Sequence, residues 1–152
     1  MLETASSLGV EVVYMGMSHR GRLNVLANVL ERPLQAIMSQ FQPYLPDNPE
    51  DYPNNSDDVR YHLGTSSILE MPNKKTLEIH LTANPSHLEA VNSVVLGETR
   101  ARQLQMNDED GVKVVPLLLH GDAAMFQGSV REAFGFGTLE DYKTGGTIHV
   151  ST

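Results

Sequence analysis

Four short stretches place polar side chains where apolar character changes: His19-Arg20 with Arg22, His62, Ser86-His87 and Asp122. Asp122 is the most informative. It follows the run Val112-Lys113-Val114-Val115-Pro116-Leu117-Leu118-Leu119-His120-Gly121 and precedes Ala123-Ala124. A lone carboxylate at the end of a buried strand is disfavoured by loss of water. Facing a divalent cation that is itself bound to phosphates, it is compensated. The competing reading is a turn aspartate that caps the next helix.

His19 with Arg20 and Arg22 suits an anionic substrate. Arginine offers a planar fork to carboxylate or phosphate, and histidine exchanges a proton near neutrality. The alternative is a solvated basic turn at a helix start, a place where positive charge opposes the helix dipole. His62 reads either as a half-buried, satisfied histidine or as a ligand group. Ser86 is an expected helix cap, with His87 beside it. His80 reads as the polar face of a strand, His149 as part of the last strand, and His120 as a neighbour of the Gly-Asp pair. Two other chemistries are excluded. No His-Glu-x-x-His pair or short His spacing supports zinc, and no Gly-x-Ser-x-Gly elbow supports a serine hydrolase.

The elements that must position these groups follow from periodicity. Met1 to Ser7 reads as a helix end closed by Gly9, and Val10 to Met15 as a mostly buried strand. Leu23 to Leu30 is helical by length, and Pro33 ends it. Leu34, Ile37, Met38 and Phe41 then form an amphipathic stripe. Gln42 to Asp58 holds four prolines, five acids and three asparagines, the composition of a surface loop. Val59 to Gly64 reads as a short strand or turn. Leu77, Ile79 and Leu81 alternate with Glu78 and His80 as a strand with one polar face. Asn84-Pro85 and the Ser86/Glu89 capping box both announce a helix running toward Ala101. Gly111 leads into the central strand, and a helix and the strand Thr147-Ile148-His149-Val150 complete a β-α-β unit. The class is α/β, with a mainly parallel sheet flanked by helices. Strand ends in such sheets converge on one edge, where ligands bind.

Composition narrows the function. At 152 residues the chain suits one domain with a real core. A formal net charge of −8 argues against nucleic acid as the main partner. No apolar run reaches the length of a membrane span, and Met1-Leu2-Glu3-Thr4 has neither a signal nor a transit pattern. The absence of cysteine removes disulfides and thiolate chemistry. The acidic runs at 47–58 and 107–110 read as solvated surface.

Taken in register, five blocks go further. They are Met-Gly-Met-Ser-His-Arg-Gly-Arg-Leu-Asn-Val-Leu-Ala-Asn-Val, Asp-Val-Arg-Tyr-His-Leu-Gly, Ala-Asn-Pro-Ser-His-Leu-Glu-Ala-Val, Leu-His-Gly-Asp-Ala-Ala and Gly-Gly-Thr-Ile-His-Val. The chain thereby resembles the thiamine-diphosphate-dependent first component of the 2-oxoglutarate dehydrogenase complex, from about Glu3 to Val150. The resemblance implies the diphosphate-binding half of a thiamin-diphosphate-binding fold, residues 1–152 forming a single partial domain with 42–58 as its acidic loop. It implies magnesium and thiamine diphosphate as cofactors, with Asp122 on the metal and Ala123 and Ala124 lining the diphosphate site. Arg20, Ser86 and Leu88 would touch the cofactor. His19 and His62 would face the substrate, 2-oxoglutarate or the longer 2-oxoadipate.

The succinyl group would pass to a lipoyl-bearing second component. The full-length protein would be a homodimer, in the mitochondrial matrix of a eukaryote or the cytoplasm of a bacterium. Some positions depart from the family. Ser18 replaces a common proline, and Met125-Phe126-Gln127-Gly128 is one residue shorter than the usual run after Asp-Ala-Ala. The sequence stops at Ser151-Thr152, before the family's second metal ligand, an asparagine, and before the glutamate that activates the cofactor. An isolated chain is therefore expected to be inactive. Two alternatives stand beside the enzyme: a truncated or diverged fragment that binds little, and a magnesium-dependent phosphoryl-transfer domain that lacks a Gly-rich loop with lysine.

Overall fold

A computed structural model describes residues 1–38, 41 and 62–151; the expected loop at 42–58 and the start of the Val59–Gly64 segment lie outside them. Helix α1 spans Leu2–Ser7. Gly9 follows with φ of 101°, a left-handed turn that glycine adopts without strain. Strand β1 runs Val12–Met17 rather than Val10 to Met15. It extends further because Gly16 and Met17 still find parallel partners in Leu118 and Leu119. Glycine at position 16 also admits the helix above it: a Cβ there would lie 2.9 Å from Leu118 Cδ2 and 3.0 Å from Val95 Cγ2.

After β1 come one short helix, α2 (Arg22–Asn24), and a wider π-type turn over Val25–Val29. Helix α3 spans Leu34–Met38. Of its expected stripe only Ile37 is buried; Leu34, Met38 and Phe41 are exposed. Strands β2 (Thr65–Glu70) and β3 (Thr76–Leu81) form an antiparallel pair. The sequence pattern hid β2, because Thr65-Ser66-Ser67 carries no apolar alternation and the strand buries only Leu69 on its edge of the sheet. Helix α4 (Val91–Gln105), strand β4 (Val114–His120), helix α5 (Gly128–Phe136) and strand β5 (Ile148–Ser151) complete the chain.

The five strands lie in the order β2-β3-β1-β4-β5, all parallel except β2. The middle strand is β1, so β4 is one place off centre. Alternation on β1 divides the core. Val13, Met15 and Met17 pack with Leu26, Leu30, Ile37, Ile79 and Leu117 on one face. Tyr14 packs with Val91, Val95 and Leu118 on the face covered by α4.

Two expectations at the ends of α4 are corrected. Neither start signal marks its first residue, since the helix begins at Val91 with no side-chain cap. Glu89 has φ of 67°, which a helix cannot accommodate, and its carboxylate turns inward instead of back toward Ser86. Beyond α4, Asp108 is not solvated surface. It is buried, and its carboxylate accepts hydrogen bonds from the N–H groups of Val112, Lys113 and Val114 at 2.9–3.0 Å, fixing the entry to β4.

Candidate functional site

Parallel strands deliver their carboxyl ends to one rim, and four strands do so here. Strand β1 leads into Ser18-His19-Arg20, β3 into Asn84-Pro85, β4 into Gly121-Asp122, and β5 ends level with His120 through the pair His120 and Ser151. The antiparallel β2 contributes by its beginning. Thr65 pairs with Leu81 at the end of β3, so the preceding His62-Leu63-Gly64 arrives at the same rim. The Asn84 N–H donates to the His62 carbonyl at 2.9 Å, which ties the two approaches together. Gly64 is required in this crossing, because a Cβ would stand 2.7 Å from the Leu81 carbonyl and 2.8 Å from the Ala83 nitrogen.

A cleft of about 400 Å³ opens at this rim. Met17, Ser18, His19 and Arg20 form one wall; Asn84, Pro85, Leu88 and Glu89 form another; Gly121, Asp122, Ala123, Ala124 and Gln127 form the third. His19, Arg20, Leu88, Asp122, Ala123 and Ala124 thus share one cavity. His62 is absent from its lining but joins it through His19, the two rings having centroids 4.9 Å apart and a tilt of 42°. Ser86 and His87 are exposed on the same loop as Leu88 and do not line the cleft.

Asp122 is exposed, in helical conformation, and its side chain makes no capping hydrogen bond. The turn-cap reading is therefore set aside. The residues after it form a single 3-10 turn, Ala123–Phe126; Gln127 is extended, and α5 starts only at Gly128. Small side chains at 121, 123 and 124 keep this wall low, and a Cβ added at Gly121 would meet nothing within 4 Å.

Arg22 does not belong with Arg20. Its side chain is fully buried and donates to the carbonyls of Leu63 (2.9 Å from Nη2) and Thr82 (2.7 Å). It is neither a substrate group nor part of a solvated turn, but a clamp that holds the segments carrying His62 and Asn84. Burial lowers its pKa to about 10.

Sequence reasoning missed a line of polar groups at the cleft, buried at Glu89 and His120 and half-buried at His149. Glu89 Oε2 accepts from Asn92 Nδ2 at 2.9 Å and lies 2.7 Å from His120 Nδ1. His120 Nε2 lies 2.8 Å from His149 Nδ1, with the rings 5.0 Å apart and nearly parallel. His120 is 1 % exposed and Glu89 8 %. Burial first, and the nearby His120 second, push the His149 pKa down, against an opposite pull from Glu89. The only signal in the sequence was His120 next to Gly121-Asp122, and Glu89 fitted a capping box equally well.

The donor set fits a metal-bound diphosphate. An exposed carboxylate on one wall suits a hard cation, and the Arg20 guanidinium on another suits the anion. Among the described residues no three His, Asp or Glu side chains cluster as a metal site. No helix among the described residues is long and apolar enough to cross a membrane.

Comparison with known proteins identifies the family. The model of the family described as the dehydrogenase E1 component matches residues 3–151. The 2-oxoglutarate dehydrogenase-like, mitochondrial protein of Xenopus laevis is 48% identical over 153 residues, which is 99% of this chain and 14% of that protein. The mitochondrial 2-oxoglutarate dehydrogenase of Saccharomyces cerevisiae is 46% identical over 154 residues, covering 100% of this chain and 15% of its own length. A multifunctional 2-oxoglutarate metabolism enzyme of Mycobacterium sp. (strain JLS) is 47% identical over 155 residues, 99% of this chain and 12% of its own. The chain therefore spans only about 12–15% of the curated relatives it matches.

Proposed function

The chain belongs to the dehydrogenase E1 component family, and from that premise we propose that it forms the diphosphate-binding part of a 2-oxoglutarate dehydrogenase, active within a longer chain and its homodimer. What supports this reading is the cleft that unites His19, Arg20 and Asp122, with the His62 ring against His19.

Asp122 holds magnesium, and Ala123 and Ala124 leave room for the diphosphate beside it. Arg20, which lines the same cleft, neutralises the anion. Leu88 gives the cofactor an apolar contact, while Ser86, exposed on the same loop and outside the cleft lining, would reach it only from the solvent side of that loop. When bound, thiamine diphosphate supplies the carbanion and electron sink for decarboxylation of the 2-oxoacid. His19 and His62 donate hydrogen bonds to the carboxylates and keto oxygen of 2-oxoglutarate, or of 2-oxoadipate, and so orient it. The succinyl group passes to a lipoyl group on the second component of the complex. The protein works in the mitochondrial matrix if its source is eukaryotic and in the cytoplasm if bacterial.

A second reading, a fragment that binds little cofactor, is favoured by one observation. The shortened run after Ala124 ends in an extended residue, Gln127, which separates the Asp122 turn from α5.

The two readings separate in a chimera in which this chain replaces the matching segment of the yeast relative. The first expects magnesium- and thiamine-diphosphate-dependent release of carbon dioxide from 2-oxoglutarate, lost on Asp122→Ala. A folded, dimeric chimera without that activity would sink it. Calorimetry on the 152-residue chain alone should find affinity weaker than micromolar; tighter binding would contradict dependence on the longer chain.

A further inference from the structure

The line Glu89–His120–His149 has no role in the chemistry above, yet Glu89 lines the cleft and His120 adjoins Gly121 in another of its walls. Glu89 follows Leu88 in one wall, and His120 precedes Gly121-Asp122 in another. Glu89 is held at φ of 67°, a conformation that disfavours every residue with a Cβ except where surrounding contacts enforce it. Its carboxylate serves as an acceptor, taking the Asn92 amide hydrogen at 2.9 Å. With that carboxylate as acceptor, the 2.7 Å contact has His120 donating from Nδ1. If His120 carries a single ring proton, its Nε2 accepts and His149 donates from Nδ1 across 2.8 Å. In that state the direction of both imidazole bonds is set from the Glu89 end.

We propose that Glu89 is the positioning residue of the cleft: its carboxylate, through His120, ties the Asn84–Glu89 wall to the Gly121–Ala124 wall and so fixes where Asp122 stands relative to the groups opposite. The link to cofactor binding rests on the reading of the cleft given above; the coupling between walls does not. His149 extends the tie to β5, with the Phe134 ring 4.7 Å from its own. Asn92, buried at the first turn of α4, holds the same carboxylate oxygen and keeps it from swinging away.

Long-range ¹⁵N–¹H spectra of the histidine rings test the tie without any cofactor. In the wild-type chain at about pH 8 both His120 and His149 should be Nδ1–H tautomers. Glu89→Ala removes the acceptor and should move His149, a ring that Glu89 does not touch, toward the ordinary tautomer mixture. Glu89→Gln keeps an oxygen acceptor and should restore the wild-type pattern. A purely packing role would lower the melting temperature of Glu89→Ala and leave the His149 tautomer alone, which would overturn the proposal. Should Glu89→Ala fail to fold, His149→Phe decides: His120 must stay Nδ1–H, and a switch to Nε2–H would overturn the assignment.

Calorimetric titration of magnesium thiamine diphosphate into the chimera and its Glu89 variants tests the consequence. Affinity should fall at least about tenfold in Glu89→Ala and stay within about threefold in Glu89→Gln. Equal affinity in the unsubstituted chimera and Glu89→Ala would overturn the positioning role. If the unsubstituted chimera shows no response, the cofactor reading fails, and the ring spectra alone decide whether Glu89 couples the walls.

Discussion

The imidazoles of His19 and His62 lie 4.9 Å apart, centroid to centroid, although one follows the middle strand and the other precedes an edge strand. They meet because β2 runs against its neighbours and so begins where they end. If both rings orient one substrate, their effects cannot be independent. In the chimera, His19→Ala and His62→Ala should each lower kcat/KM for 2-oxoglutarate by roughly 10²-fold. The double variant should lose less than the product of the two, since contacting residues couple. Full multiplicativity in a double-mutant cycle would show that the two rings act on different things.

Asp122 makes no capping bond and is exposed. Asp122→Ala should therefore shift stability by no more than about 0.5 kcal/mol, the range of an ordinary surface position. The same change should abolish the magnesium dependence of cofactor binding in the chimera. Denaturant melts and calorimetry on one pair of samples check both halves. A large loss of stability would reassign Asp122 to the fold.

Arg22 should behave in the opposite way. Replacing it with methionine leaves the carbonyls of Leu63 and Thr82 without their buried donor. The cost should be roughly 2–4 kcal/mol, the sum of two unmade bonds. The loss should also loosen the segment before β2, so the nuclear Overhauser contact between the His19 and His62 rings should weaken. A variant as stable as wild type would remove Arg22 as the clamp.

His149 gives the fold a pH dependence of definite sign. Burial, then His120, lowers its pKa from the ordinary 6.5, so the folded chain takes up a proton less readily than the unfolded chain. The stability this group contributes is complete above 6.5 and is lost as pH falls through the folded value. Urea midpoints should drop between about pH 7.5 and 5, and His149→Phe should flatten part of that slope. A midpoint that rises on acidification, with the variant unchanged, would contradict the assignment.

Much of the architecture could be read from residue order. Leu77, Ile79 and Leu81, alternating with Glu78 and His80, became a strand with three buried side chains because period-two burial is local chemistry. The apolar run ending at His120 and the Gly-Asp turn likewise followed from short-range pattern. The strand Thr65–Glu70 was not legible, since an edge strand is paid for by pairing with its neighbour rather than by its own hydrophobicity. Nor was the true start of α4: Ser86 and Glu89 satisfy a local capping rule, and a partner 2.7 Å away on β4 outbids it.

By itself, the order of residues determined which groups would stand at strand ends and hence what chemistry the rim could hold: Asp122, Arg20, His19. Only the tertiary structure decided which of two neighbouring arginines reaches solvent, that His62 comes to His19 by way of an antiparallel strand, and that Glu89 faces inward. The physical reason is one of range. Periodicity and turn chemistry act over a few residues, whereas a buried charge takes whichever partner the packed sheet brings within hydrogen-bond reach.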